Sequence, residues 1–206
     1  IPNAVSLIGI NGLKKLLLSL GAKKVLDKIY GKQEQLWEHA YRCAFYATMI
    51  AKDNNKNDLI DDVYVCGILH DIGEIIIRSI DSKLTSQINE FCQNKGITGD
   101  IIEQLAMGCS HAKIGSQILH NWNFPEVIVT VIEFVDQPIL SPPEWRDIVE
   151  IVYIANRFAM LHEKRISISS MDLEVFKNFN LNSAQAIQIY GTQLLNLYIK
   201  QQEKNS

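Results

Sequence analysis

Apolar residues recur at three- and four-residue spacing along most of the chain, and strand-like alternation is nearly absent. The pattern predicts helices over residues 13–30 and 33–52. Within the second, LWEHAYRCAFYATMIA is apolar on almost every side, as a central buried helix would be. DLIDDVYVCGILHDIGEIIIRSI opens on Asp58 as an N-cap and continues helically, with a break expected near Gly73. Further helices are predicted over 81–94, 100–107, 111–122, 125–134, 144–163, 171–179 and 183–201. Pro125 stands at a helix start, where its missing N–H costs nothing. DQPILSPPEW is the one stretch long enough to act as a lid, and YIKQQEKNS reads as a fraying tail. With no internal repeat and no linker, the simplest architecture is a single all-α bundle over 1–206, in which 182–201 form the C-terminal helix.

Composition narrows the class. The 206 residues are 47% apolar and 21% charged, which suits one soluble domain with a sizeable core. A net charge of −3 gives no electrostatic reason to expect a nucleic-acid partner. LIGINGLKKLLLSLGAKKVL is interrupted by glycines and lysines, so it is amphipathic and does not predict a membrane span. The four cysteines, Cys43, Cys66, Cys92 and Cys109, lack CxxC spacing and read as reduced small hydrophobes of a cytoplasmic protein. Because the chain opens on Ile1-Pro2 without Met, it is expected to be a fragment or a processed form.

Candidate chemistry rests on the histidines. His39 lies in the most apolar helix, where a ring nitrogen needs a partner. His70 and Asp71 are adjacent, and neighbouring helix residues point about 100° apart, so one metal can reach both only from a helix end or from between helices. His111 follows a turn at a helix start. Such nitrogen and carboxylate ligands suit zinc, iron or manganese. The same residues also admit a metal-free reading, in which Asp71 accepts a hydrogen bond from an imidazole and a polar network pins the helices together. His120 and His162 lack this context and read as surface or structural residues.

The ordered phrases AVSLIGINGLKKLLLSL, LWEHAYRCAFYATMIA, VYVCGILHDIGEIII, GCSHAKIGSQILHNWNFPEVIVTVIEF and IVEIVYIANRFA resemble the HDOD domain, a signalling branch of the HD superfamily of metal-dependent phosphohydrolases. The resemblance covers residues 4–160. In catalytic relatives such as the HD-GYP cyclic-dinucleotide phosphodiesterases, the pattern is a histidine, a His-Asp pair, a histidine with glycine four residues on, a His-His pair and a final aspartate. His39, His70, Asp71, and His111 with Gly115 match it. Val135 and Asp136 replace the His-His pair, Asn156 replaces the final aspartate, Glu74 stands where the enzymes often have lysine, and no GYP motif occurs. Valine cannot ligate a metal, and an asparagine oxygen is a weaker donor than a carboxylate.

The resemblance thus implies a bacterial regulatory module with a degenerate site, acting through other signalling proteins or domains, with a homodimer as one form. Its cofactor is none or a single divalent ion held by His39, His70, Asp71 and His111, with Asp136 and Asn156 as marginal additions. The alternatives are a phosphohydrolase of nucleotides or cyclic dinucleotides, in which Lys113 or Arg157 contacts phosphate, and a sensor that binds a nucleotide in the same pocket. Lys113 and Arg157 are otherwise expected on solvated helix faces. HDOD domains carry further helices ahead of the AVSLIG segment, so part of an N-terminal subdomain is expected to be missing, with exposed apolar surface on the helix spanning residues 13–20.

Overall fold

The structure, a computed structural model, describes residues 20–29, 31–95 and 99–205. Among the described residues every regular element is helical. Helix α1 covers 20–29, followed by α2 (Glu34–Asp53), α3 (Ile60–Leu69), α4 (Ile72–Ile80), α5 (Ser82–Lys95) and α6 (Gly99–Met107). Then come α7 (His111–Asn121), α8 (Glu126–Phe134), α9 (Arg146–His162), α10 (Leu173–Lys177) and α11 (Ala184–Asn205). No described helix is long and apolar enough to cross a membrane.

Helices α2 and α9 form the centre. Every residue from Ile148 to Ala159 is buried, and α2 buries Leu36, Trp37, Ala40, Cys43, Ala44, Ala47 and Ile50 along one broad face. Helix α2 packs on α3 and α9, while α7 packs on α4 and α8. Two glycines set the closest approaches. A β-carbon on Gly67 of α3 would lie 2.6 Å from the Ala44 Cα of α2, so these backbones cross in direct contact. A β-carbon on Gly73 of α4 would lie 1.9 Å from the carbonyl oxygen of His111, the first residue of α7.

Among the described residues, four non-glycine residues have left-handed backbone conformations: Asn55, Asn123, Lys164 and Asn180. Each sits just past a helix end, where the next two amides turn back onto the last-turn carbonyls. Asparagine tolerates this conformation, whereas Lys164 is the exception, with φ +59°. Its amide bonds Leu161 O at 3.0 Å and that of Arg165 bonds Met160 O at 2.9 Å, so the chain reverses tightly after α9.

The structure departs from the periodicity in two places. The long helix expected from Asp58 is broken at His70-Asp71, the pair itself, and not at Gly73. The proline-rich segment is two short 3₁₀ turns, Pro138–Leu140 and Pro143–Trp145, with Pro138 and Ser141 buried and Arg146 bonded to the carbonyls of Ile139 and Ser141. Of the expected N-terminal apolar face, residues 13–19 lie outside the described residues; on α1, Leu20, Val25 and Ile29 are exposed. None of the four cysteines is in a disulfide.

Candidate metal centre

The helix break between α3 and α4 turns His70 and Asp71 toward the middle of α2 and the start of α7. There they meet His39 and His111. Donor atoms of His39, His70 and Asp71 all lie within 4.8 Å of one another. Asp71 spans the cluster: its Oδ2 is 3.2 Å from His70 Nε2 and 3.5 Å from His39 Nε2, while its Oδ1 is 3.6 Å from His111 Nε2. The two rings of His39 and His70 approach through their Nε2 atoms at 3.3 Å.

Each imidazole is oriented from behind. His39 Nδ1–H donates to both oxygens of Glu163, each at 2.9 Å. His70 Nδ1–H donates to its own helix carbonyl, Gly67 O, at 2.8 Å. His111 Nδ1–H donates to Glu103 Oε2 at 2.7 Å, and the same oxygen accepts the His111 backbone amide, also at 2.7 Å. Glu103 therefore fixes a ring and occupies the positive N-terminal end of α7 together. Ser110 completes that start by accepting the Lys113 amide. With acceptors on all three Nδ1 atoms, these partners assign the proton of each neutral ring to Nδ1 and leave the Nε2 lone pairs facing inward. Backbone or carboxylate partners behind imidazoles are the usual setting of histidine metal ligands.

The two residues of marginal standing also reach the cluster. Asn156 Oδ1 lies 3.1 Å from His39 Nε2. Asp136 Oδ2 lies 3.3 Å from His111 Nε2 and, though buried, accepts no hydrogen bond. Its other oxygen accepts from Arg157 Nη2 at 2.7 Å. Arg157 is not on a solvated face: only 2% of its side chain is exposed, and its guanidinium also stacks 4.7 Å from the Tyr153 ring centre. Removing one partner of such a buried pair costs roughly 3–5 kcal/mol. Lys113 is not brought to the cluster. It is half exposed on α7 and paired with Glu133. His120 is exposed, and His162 accepts a hydrogen bond from the Tyr46 hydroxyl at 2.8 Å.

Electrostatics follows from this crowding. Burial opposes charge on His70, yet Asp71 and Cys43 hold it well above the ordinary histidine range. Burial likewise opposes charge on His111, but the hydrogen bond and charge of Glu103, with Asp136 and Asp71, push it up to about 10. Burial raises the Asp71 carboxyl, and His70, His39 and His111 outweigh it, holding the group well below the usual carboxylate range. The inward Nε2 and carboxylate atoms are acceptors that face one another. They can be reconciled by protons on the rings or by a cation. The donor set fits a cation of the zinc, iron or manganese kind: three imidazoles and Asp71, with the orphaned Asp136 oxygen beside them.

Glu103 and Glu163 are the functional residues that sequence reasoning missed. Glu103 carried a signal, since it interrupts an apolar run in DIIEQLAM. Glu163 carried none, lying in the charged stretch HEKR after the helix.

Comparison with known proteins accords with the helical fold. The family model for the HDOD domain matches residues 1–138. A protein of Treponema pallidum (strain Nichols), itself uncharacterized, is 28% identical over 188 residues, which are 91% of this chain but only 37% of that protein. The crystal structure of an HDOD domain protein of unknown function from Geobacter sulfurreducens superposes with a TM-score of 0.64 at 24% identity, covering 83% of this chain and 57% of that one. A candidate phosphohydrolase from Shewanella amazonensis gives a TM-score of 0.63 at 21% identity, over 94% of this chain and 76% of that one. A candidate signal transduction protein from Marinobacter aquaeolei gives 0.64 at 17% identity, over 78% and 36%. At these identities the structural likeness is one of fold.

Proposed function

Because the chain belongs to the HDOD domain family, we propose that it is a regulatory module of bacterial signal transduction which holds one divalent cation in its buried histidine cluster and does not hydrolyse phosphate esters with it. The carrying observation is the set of three imidazoles whose Nδ1 atoms are each tied from behind, so that three Nε2 atoms and the Asp71 carboxylate converge.

Charge supports one ion over two. Asp71 and Asp136 are the carboxylates that face inward, and the Arg157 guanidinium already neutralises Asp136. Asn156 adds a neutral oxygen. Hydrolysis would also need a free base to take a proton from water. Asp71 is shared among three imidazoles and Asp136 is held by Arg157, so neither is free for that role. The cation would fasten α2, the α3–α4 break and the start of α7 to one another. A module so tightened can pass a signal to neighbouring domains or proteins through its surface. Cysteines held as thiols, not disulfides, suit the cytoplasm.

Elemental analysis of the untagged protein purified without chelator tests the reading, with His70→Ala alongside. The expected result is about one zinc, iron or manganese ion per chain, lost in the variant, and no turnover of nucleotides or cyclic dinucleotides by the loaded protein. Metal-free wild-type protein that also fails to bind added ions would overturn the cation. Turnover that disappears in His70→Ala would replace the regulatory reading with the phosphohydrolase one.

A further inference from the structure

A cleft of about 280 Å³ opens on the far side of His39, between the first turns of α2, the end of α4 and the reversal after α9. Its floor is His39 with Glu163, and three arginines line it: Arg42, Arg78 and Arg165. Their carboxylate partners, Glu74, Glu163 and the more distant Glu38, match them in number, but Glu163 is shared. Arg78 is taken up by Glu74, at 3.0 and 2.6 Å. Arg42 and Arg165 share the single carboxylate of Glu163, which also serves His39.

Donors are left over as well. Arg42 reaches Glu163 with one nitrogen at 3.1 Å, its Nε is buried without a hydrogen bond, and its remaining nitrogen comes no nearer to the exposed Glu38 than 3.9 Å. Arg165 is three-quarters buried, yet its closest carboxylate oxygen among the described residues is 3.6 Å away, beyond hydrogen-bond reach. Helix α2 begins beside this cleft without a side-chain cap, so its first amides also face outward. Partly buried guanidinium groups with N–H donors to spare, beside an uncapped helix start, suit a compact, doubly charged oxyanion that can take several N–H bonds in forked geometry.

We infer that this cleft binds the phosphoryl group of a small phosphate monoester, with Arg42 and Arg165 as its principal ligands and Arg78 closing the rim. The volume lies near the lower end for small-molecule sites, which favours a sugar phosphate or nucleotide-sized molecule over a polymer. The inference deepens the regulatory reading and rests on it for the consequence of binding. An anion drawing Arg42 and Arg165 away from Glu163 leaves that carboxylate to His39 alone, so the ligand would be felt at the metal centre through one residue. The binding step itself needs no cation.

Calorimetric titration of the full chain tests this, with and without chelator, using ribose 5-phosphate, inorganic phosphate and ribose as probes. Saturable binding of ribose 5-phosphate is expected, at least tenfold tighter than inorganic phosphate, with none for ribose. Arg165→Gln should weaken it at least tenfold while the helical circular dichroism is retained, because Arg165 makes no close hydrogen bond that holds the helices together. Arg165→Lys should recover only part, since an ammonium cannot fork. Absence of saturable binding by either phosphate species, or binding indifferent to both variants, would overturn the inference. Persistence of binding in chelator separates its outcome from that of the metal analysis. Equal affinity for both phosphates would reduce the site to one for the free ion and overturn the monoester assignment.

Discussion

Gly73 and His111 touch backbone to backbone: a β-carbon at Gly73 would stand 1.9 Å from the carbonyl oxygen of His111. No rotamer change relieves that overlap, because the obstructing atom belongs to the main chain of α7. Gly73→Ala is therefore expected to push α4 from α7, cost about 1–3 kcal/mol of stability and separate Asp71 from His111. Urea melts and cation titration of the variant check both effects. At Gly115 the nearest atom is the Ile72 methyl, at 2.9 Å, so Gly115→Ala should be milder. An unperturbed Gly73→Ala would show that this contact does not set the spacing of the site.

Glu163 grips the outer edge of the His39 ring; burial opposes its ionisation, and the hydrogen bond from His39, with the charges of Arg165 and Arg42, outweighs that cost. Glu163→Gln preserves shape and removes the charge that orients and enriches the ring. Cation affinity should fall about 10–100-fold with the fold intact, as for other partners behind a ligating histidine. Isothermal titration with zinc or manganese beside circular dichroism would show it, and wild-type affinity would speak against this role.

His111 in the folded chain keeps its proton to about pH 10, against 6.5 for an ordinary imidazole. In the cation-free protein its pairing with Glu103 thus contributes stability that is complete below pH 6.5 and disappears as pH rises through 10. Asp71 runs the other way: its contribution is complete above 3.8 and is lost as pH falls through its lowered folded value. Guanidinium chloride melts should show a plateau from about pH 4 to 6.5 and a decline on the alkaline side, which Glu103→Gln reduces. Cation binding near neutral pH should release protons, on the order of one to two per ion, read from calorimetry in buffers of different ionisation enthalpy. A binding enthalpy independent of buffer would contradict the protonated cluster.

Lys164 holds a left-handed conformation that the other such helix ends assign to asparagine or glycine. Lys164→Gly is expected to stabilise the chain by about 0.5–1 kcal/mol. Lys164→Val should destabilise it by about 1–3 kcal/mol and loosen cation binding, because Glu163 and Arg165 flank the strained residue. Thermal melts of the two variants decide the sign.

The helical order and the meeting of His39, His70, Asp71 and His111 were legible in the chain, the first from periodicity and the second from the resemblance of its motifs. The helix break expected near Gly73 falls two to three residues earlier, at His70-Asp71. Gly73 attracts suspicion as a helix breaker, but it is needed for close packing, while the turn falls on the two polar residues that must leave the helix face. Arg157 was misread because a charge on a helix usually marks solvent. The apolar residues on both sides of the Asn156-Arg157 pair, IVYIA and FA, were the contrary sign. Asp136 and Glu163 could not be weighted in advance, since which carboxylate turns inward depends on contacts made across the whole chain.

The hydrogen bond between His39 and Glu163 joins residues 124 positions apart. During synthesis the histidine leaves the ribosome long before the acid that fixes its tautomer, and the centre stays incomplete until the last turn of α9 has emerged. Capture of the proposed cation would then come late, after the slow long-range closures, and not at the nucleus of folding. A bound ion would consequently certify that the chain has finished folding, and nascent or clipped forms ending before residue 163 would circulate without it.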